Sequence, residues 1–283
     1  MKPLLKWAGG KHKLAGRIDD AFGGRCGGTY VEPFVGSGAV FFHRRARGEV
    51  GEAVLADAND KLVALHVAIR DAVDDVLAEL ERLPVEDYRE VYYEVREAFN
   101  AGPHTGPRHA ARFLWLNRAG FNGLYRENRS GAYNVPVGRY AQVRMPDEAA
   151  FRGVSGLLQG TDLRVAGFVD TVRRAGRGDQ VYCDPPYVPL TQSADFTAYC
   201  KVPFGLREQR ELAREAQRAA FRGATVVLSN HDLPIVRHQL YSRADGFAVV
   251  ETLPVGRAIS RSVNSRKPIL EVIARIGPLR QVA

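Results

Sequence analysis

Cysteine is scarce in this chain and badly placed for cross-linking. Cys26, Cys183 and Cys200 are odd in number, far apart and never spaced as C-x-x-C, which gives neither a disulfide framework nor a zinc site and points to a reducing compartment. Lysine is scarce as well, with 7 Lys beside 33 Arg. The net charge of +8 and pI near 9.5 therefore have two readings: a polyanionic partner, or an arginine excess that reflects the base composition of the coding DNA. No apolar run approaches the ~20 residues of a membrane span, and no internal repeat is present. The opening Met1-Lys2-Pro3-Leu4-Leu5-Lys6-Trp7 holds too few apolar residues for a signal peptide. A cytoplasmic protein without membrane association is expected. At 283 residues and 45% hydrophobic content, the chain can bury one sizeable core and carry one large insertion.

What is present begins with glycines. In Leu4-Leu5-Lys6-Trp7-Ala8-Gly9-Gly10-Lys11, two glycines allow close approach of backbone to ligand, flanked by Trp7 and Lys11. A Walker loop is excluded, because His12 follows Lys11 and no glycine stands five residues before Gly10. An N-terminal turn is the plainer alternative. The run Thr29-Tyr30-Val31-Glu32-Pro33-Phe34-Val35-Gly36-Ser37-Gly38 reads as a strand bending through glycines into a helix over 39–45, the first half of a nucleotide-binding βαβ unit. The next apolar segment, 53–56, ends at Asp57, 21 residues after Gly36, where an acid reaches a ribose hydroxyl. A dinucleotide fingerprint would need a third glycine at position 41, which is Phe. The cofactor should contain adenosine but no pyrophosphate.

The stretch that organises the chain is Val181-Tyr182-Cys183-Asp184-Pro185-Pro186-Tyr187. A buried strand stops at a carboxylate, and two prolines forbid continuation into helix or ladder. The Asp184 carboxylate and Pro185 carbonyl are left as acceptors beside the Tyr187 ring. Such a corner can take both hydrogens of a base amine while the ring stacks on the heterocycle. A strand-ending turn with an Asp cap and a packing Tyr is the competing reading.

Between these two parts, residues 59–100 show helical spacing: Leu62, Leu65 and Ile69 share one face, and Val76, Leu77, Leu80 and Leu83 the next. A loop over 101–107 precedes a helix over 108–118, with His104 and His109 expected at the surface. From Asn117 to Tyr140, arginines, amides and aromatics alternate with glycine, a mixture able to stack on bases, bond base edges and neutralise phosphates. A solvated hairpin is the alternative. After Met145-Pro146 the pattern predicts a strand over 154–158 leading to Asp162 and a helix over 207–222. Further strands are expected over 225–228, 247–253 and 269–276. Alternating strands and helices imply a mostly parallel sheet. His231 is expected to cap beside Asp232.

Taken together, Leu5-Lys6-Trp7-Ala8-Gly9-Gly10-Lys11, Val31-Glu32-Pro33-Phe34-Val35-Gly36-Ser37-Gly38, Leu116 to Arg118, Asn122-Gly123, Asn134-Val135-Pro136, Asp184-Pro185-Pro186-Tyr187 and Ser229-Asn230-His231-Asp232 resemble Dam-type DNA adenine-N6 methyltransferases of the D12 family, in that family's order and over nearly the whole chain. The resemblance implies an α/β class I methyltransferase fold, Rossmann-like, with a mostly parallel seven-stranded sheet and a helical and hairpin DNA-recognition insertion. Its implied division is a catalytic domain over 1–58 and 146–283 around a recognition domain over 59–145. S-adenosylmethionine is the implied cofactor and double-stranded DNA the implied partner, with GATC as target. A cognate restriction nuclease is left open as a further partner.

By the same resemblance, Trp7, Lys11, Phe34, Gly36, Gly38, Asp57, Asp162 and Asp184 fall at cofactor positions. Asp184, Pro185, Pro186 and Tyr187 form the catalytic corner, and no metal is implied. Lys6, Phe121, Asn122, Leu124, Arg126 and Pro136 fall at DNA-contacting positions, with Phe121 and Asn122 as a wedge where the base leaves the stack. Ala119 and Phe121 stand where the family's nearest sequences carry tyrosines, and Asp195-Phe196-Thr197 where the family often shows Asn-Phe-Thr. The rival readings are an amino-methyltransferase acting on cytosine N4, RNA or a glutamine amide, and a non-catalytic DNA-binding protein. The latter would not need Trp7, Lys11, Asp57 and Asp184 all intact.

Overall fold

Strand side chains alternate between two faces, and here both faces are apolar. In β1 (Tyr30–Glu32) and β4 (Gln180–Cys183), Tyr30 and Tyr182 enter one buried cluster while Val31, Val181 and Cys183 enter another on the opposite side. A sheet buried on both faces is the parallel α/β arrangement. The computed structural model describes residues 3–189, 204–255 and 269–278. Asp195-Phe196-Thr197 and Cys200 lie outside the described residues.

The other described strands are β2 (Ala53–Asp57), β3 (Thr161–Val165), β5 (Thr225–His231), β6 (Ala248–Val255) and β7 (Ile269–Ile276). They form a seven-stranded sheet in the order β3-β2-β1-β4-β5-β7-β6. Strands β1 to β5 pair in parallel, and β7 enters antiparallel between β5 and β6. The order reverses between β1 and β4, and at such a switch point the crevice beyond the carboxyl ends of the strands takes ligands. Helices α1 (Ala15–Phe22) and α2 (Ala39–Ala46) help cover the first face. The second face is covered by α8 (Phe168–Val172) and α9 (Leu206–Phe221).

After β2 the chain runs through α3 (Asp60–Asp71), α4 (Val73–Glu81), α5 (Tyr88–Ala101) and α6 (Gly106–Ala119) before α7 (Glu148–Leu158) returns it to β3. Asn59 caps α3 by accepting from the Leu62 amide at 3.0 Å. Leu62, Leu65 and Ile69 are buried as their spacing predicts. Helix α3 packs on β2 and β3 on one side and on α6 and α7 on the other. It joins sheet and insertion in one continuous core, which reaches from Tyr30 and Leu55 to Trp115 and Tyr133.

Two expectations fail here. Residues 154–158 are the end of helix α7, not a strand. Phe151, Val154 and Leu158 recur at helical spacing and are buried, and Asp147 caps the helix by accepting from Ala150 at 2.8 Å. The strand starts only at Thr161. His109 is also no surface residue. It is buried on α6, 2.9 Å through Nε2 from the Lys61 carbonyl and stacked 5.1 Å from the Phe99 ring. Burial lowers its pKa to about 4, so it packs as a neutral ring. His104, half-buried, lies 5.5 Å from it.

Candidate active site and DNA-facing surface

The loop after β1 is shaped by its glycines. Gly36 has φ +48°, and a Cβ there would meet the Trp7 ring at 3.0 Å, so only glycine lets the turn close under the indole. Two side chains hold this turn: Asp57 Oδ2 accepts from the Gly36 amide at 3.2 Å, and His66 Nε2 lies 2.9 Å from its carbonyl. Burial pushes the His66 pKa down, so the ring stays neutral and donates. Gly38, with φ +70°, leads into α2 with the Phe42 ring 2.6 Å from where a Cβ would stand. Asp57 ends β2 and accepts from the Asn59 amide at 3.0 Å through its other oxygen. Burial pushes its carboxyl up to about 6, against the backbone hydrogen bonds that favour the ionised form. Phe34 stacks on Phe168 at 5.7 Å and meets Phe204 edge-on at 5.6 Å, an apolar ring cluster beside this turn.

Beyond β4, the Asp184 corner meets the N-terminal loop. Lys11 Nζ stands 3.1 Å from Asp184 Oδ1 and 4.0 Å from Glu271 on β7. It donates to the Gly9 carbonyl at 2.6 Å and lies 4.7 Å above the centre of the Tyr187 ring. The Tyr187 hydroxyl donates to Glu271 Oε2 at 3.1 Å, and the His231 ring meets Tyr187 edge-on at 4.9 Å. Burial raises the Asp184 pKa, while Lys11 and the Tyr187 hydroxyl oppose the rise. The Pro186 carbonyl is taken by Gln209 Nε2 at 2.6 Å. Gln209 in turn accepts from Asn230 at 3.0 Å, and Asn230 receives the Val188 amide at 3.2 Å. A buried polar chain from α9 and β5 therefore fixes the proline corner.

His231 differs from its expected role. Asp232 pairs with Arg237, and His231 Nδ1 lies 2.7 Å from the Val188 carbonyl with its ring against Tyr187. It braces the corner instead of capping beside Asp232. Asp162 differs too. It pairs with Arg164 and sits in β3 opposite Val54, three residues short of Asp57 and so about 10 Å along the strand from the carboxyl ends. The structure does not bring it to the other site residues.

Five of the remaining expected residues lie in the insertion, and Lys6 packs against it from the N-terminal loop. Phe121 is 43% exposed. Asn122 beside it takes a left-handed φ of 54°, which asparagine tolerates better than most residues. Lys6 lies over the Tyr140 ring at 4.7 Å, with its stem against Gly123, where a Cβ would come within 2.5 Å of it. Burial, and then the Arg118 charge, hold its pKa down. Asn117 fixes this edge by accepting from the Lys6 amide at 2.9 Å and donating to the Lys6 carbonyl at 2.8 Å. Exposed Pro136 accepts the Phe121 amide at 2.9 Å, and Leu124 is half-buried. Arg126 is exposed and braced by Asn134, through Nε at 2.7 Å and Nη2 at 3.1 Å. Not all of 117–140 faces outward: Tyr125 and Tyr133 are buried and cannot stack on bases.

Sequence reasoning missed His66, Gln209, Glu271 and Phe168. A buried histidine, glutamine or glutamate in a helix or strand carries no local pattern. Asn230 stood in a quoted motif, but only the fold shows that it holds Val188.

The strand order, the glycine turn against the acid that ends β2, and the acidic corner after β4 are those of a class I methyltransferase fold. Residues 7–253 match the family model of D12 class N6 adenine-specific DNA methyltransferases. The DNA adenine methylase of Escherichia coli (strain K12) is 37% identical over 280 residues, covering 98% of this chain and 96% of that protein. The DNA adenine methylase of Haemophilus influenzae is 34% identical over 282 residues (98% and 94%). The Type II methyltransferase M.MjaIII of Methanocaldococcus jannaschii is 34% identical over 243 residues (81% and 84%). The chain belongs to the D12 class of N6 adenine-specific DNA methyltransferases, and it is an adenine-specific DNA methyltransferase.

Proposed function

We propose that this enzyme flips an adenine out of duplex DNA, within GATC, and methylates its N6 from S-adenosylmethionine. Segment 59–145 serves as the reading part and the two flanking segments as the catalytic part. The site fits the cofactor: the turn at Gly36 has no room for a side chain, and Asp57 ends the neighbouring strand with a carboxylate able to accept ribose hydroxyls. The ring cluster at Phe34 offers an apolar surface for an adenine ring. Trp7, Lys11, Phe34, Gly36, Gly38, Asp57 and Asp184 are the residues that hold it. When bound, S-adenosylmethionine supplies an electrophilic methyl group on a sulfonium centre.

The chain's own residues act on the other reactant. Adenine N6 is a poor nucleophile because its lone pair is delocalised into the ring. Asp184 and the Pro185 carbonyl accept its two hydrogens and draw the nitrogen towards tetrahedral geometry. Lys11 supports this role by favouring the ionised Asp184. Tyr187, held by Glu271 and His231, provides the stacking face. The proton that N6 sheds on gaining a methyl group faces the Asp184 carboxylate. Flipping costs a few kcal/mol, which Tyr187 stacking and the Phe121 wedge offset.

The observation that carries the GATC reading is the brace on Arg126. Asn134 takes Nε and one side of Nη2, leaving the Nη1–Nη2 edge as a fork that matches guanine O6 and N7. Leu124 and Pro136 supply apolar contact to the thymine methyl of the third pair. Such an enzyme works in the cytoplasm of a bacterial or phage-infected cell. Incorporation of labelled methyl into genomic DNA, with single-base mapping of the product, tests the proposal. N6-methyladenine confined to GATC is the expected result, and a product centred on another sequence overturns the assignment.

A further inference from the structure

Lys61, the second residue of α3, is 3% exposed, and its side chain crosses to the loop that carries Arg126. Its Nζ lies 2.5 Å from Glu127 Oε1 and donates to the Gly131 carbonyl at 2.7 Å. The Tyr125 hydroxyl donates to that same Glu127 oxygen at 2.5 Å. Burial first, and then this hydrogen bond, push the Tyr125 pKa up, so the hydroxyl remains a donor. The Tyr125 ring is stacked 5.2 Å from Phe113 and lies 5.4 Å from Trp7. Both neighbours of Arg126 are therefore anchored inward, one by stacking and one by a buried ion pair, while Arg126 itself stays exposed.

A buried ion pair is a poor source of stability, because desolvation offsets most of the attraction between its charges. It does fix geometry, and base reading requires that. A bidentate contact must be held within about 0.5 Å and 10–20° of its productive pose. An arginine on a loose loop finds phosphate oxygens instead. We infer that Lys61 is a specificity-positioning residue: by clamping Glu127 and Gly131 onto α3, it sets the pitch of the loop so that the Arg126 fork meets the first guanine. The inference rests on the base-reading role proposed for Arg126. Without the clamp, Arg126 becomes a mobile cation that still binds DNA and no longer distinguishes the base.

The test compares kcat/KM on a GATC duplex and on a duplex changed at the first pair, for wild type, Lys61→Met, Lys61→Met/Glu127→Gln and Arg126→Ala. The double variant leaves no buried charge unpaired, and its glutamine still accepts from Tyr125, which guards against a folding failure. Both Lys61 variants should reduce the preference for GATC about tenfold, part of what a bidentate arginine provides, while affinity for non-specific duplex stays within about twofold. An equal fall on both duplexes would mean a merely structural role and overturns the inference. Full preference in the double variant, with preference lost in Arg126→Ala, overturns it alone. Full preference in Arg126→Ala overturns the base-reading proposal and this inference with it.

Discussion

Lys11 Nζ lies 3.1 Å from Asp184 Oδ1, a contact that joins the first glycine loop to the last residue before the prolines. Burial pushes the Asp184 pKa up, and Lys11 is the largest opposing influence. Substituting Lys11→Met removes the cation, so the protonated carboxyl persists to higher pH. The acidic limb of the kcat profile should move to higher pH, and an unmoved limb in the variant would show that Lys11 does not govern Asp184.

Asp57 predicts a second pH effect, on cofactor binding. Its folded pKa, about 6, lies above its ordinary value of 3.8. Its contribution to folding is therefore full below the unfolded pKa and lost as pH rises through about 6. Cofactor binding should have the opposite sign, since in the proposed site ribose hydroxyls donate to the ionised carboxylate. S-adenosylmethionine affinity should be constant above pH 6 and weaken below it, approaching about tenfold per pH unit. Calorimetry on wild type and Asp57→Asn checks this: the pH dependence should vanish in the variant, with a loss of about 1.5–3 kcal/mol at neutral pH.

Arg126→Ala should cost roughly 1–3 kcal/mol on GATC and relax discrimination at the first base pair. A phosphate-binding arginine would instead weaken every sequence about equally. Specificity constants on a panel of single-pair variants separate the two roles.

The net charge of +8 is expected to act through phosphate contacts. Non-specific duplex affinity should fall steeply with salt as counterions are released. A flat response in a binding titration between about 50 and 200 mM salt would leave the arginine excess without a role in DNA binding.

Much of this architecture was legible because it depends on local chemistry. The glycine turn, the acid 21 residues later and the Asp184-Pro185-Pro186-Tyr187 corner each need particular residue types within a short stretch. The strands β1, β2, β4 and β5 show as apolar runs because both faces of the sheet are buried. The misreading of 154–158 has the same source: a short apolar run does not declare its period, and only the Asp147 cap and the spacing back to Phe151 identify the helix. Asp162 is a site acid only by the family resemblance, and nothing local shows that it lies near the start of its strand. His109, His231 and the inward tyrosines of 117–140 depend on what tertiary packing places opposite them. Lys61 and Glu127 lie far apart in sequence, and nothing local announces that they meet.

The account turns on the Asp184 corner as the group that holds N6. The most direct test is the single-turnover rate of methyl transfer to a GATC duplex by wild type and Asp184→Ala at saturating DNA and S-adenosylmethionine, with the affinity for DNA measured alongside. The rate should fall by at least about 10²–10³-fold, the scale for losing one preorganised hydrogen-bonding partner, while DNA affinity stays near wild type. Transfer at close to the wild-type rate would contradict the mechanism.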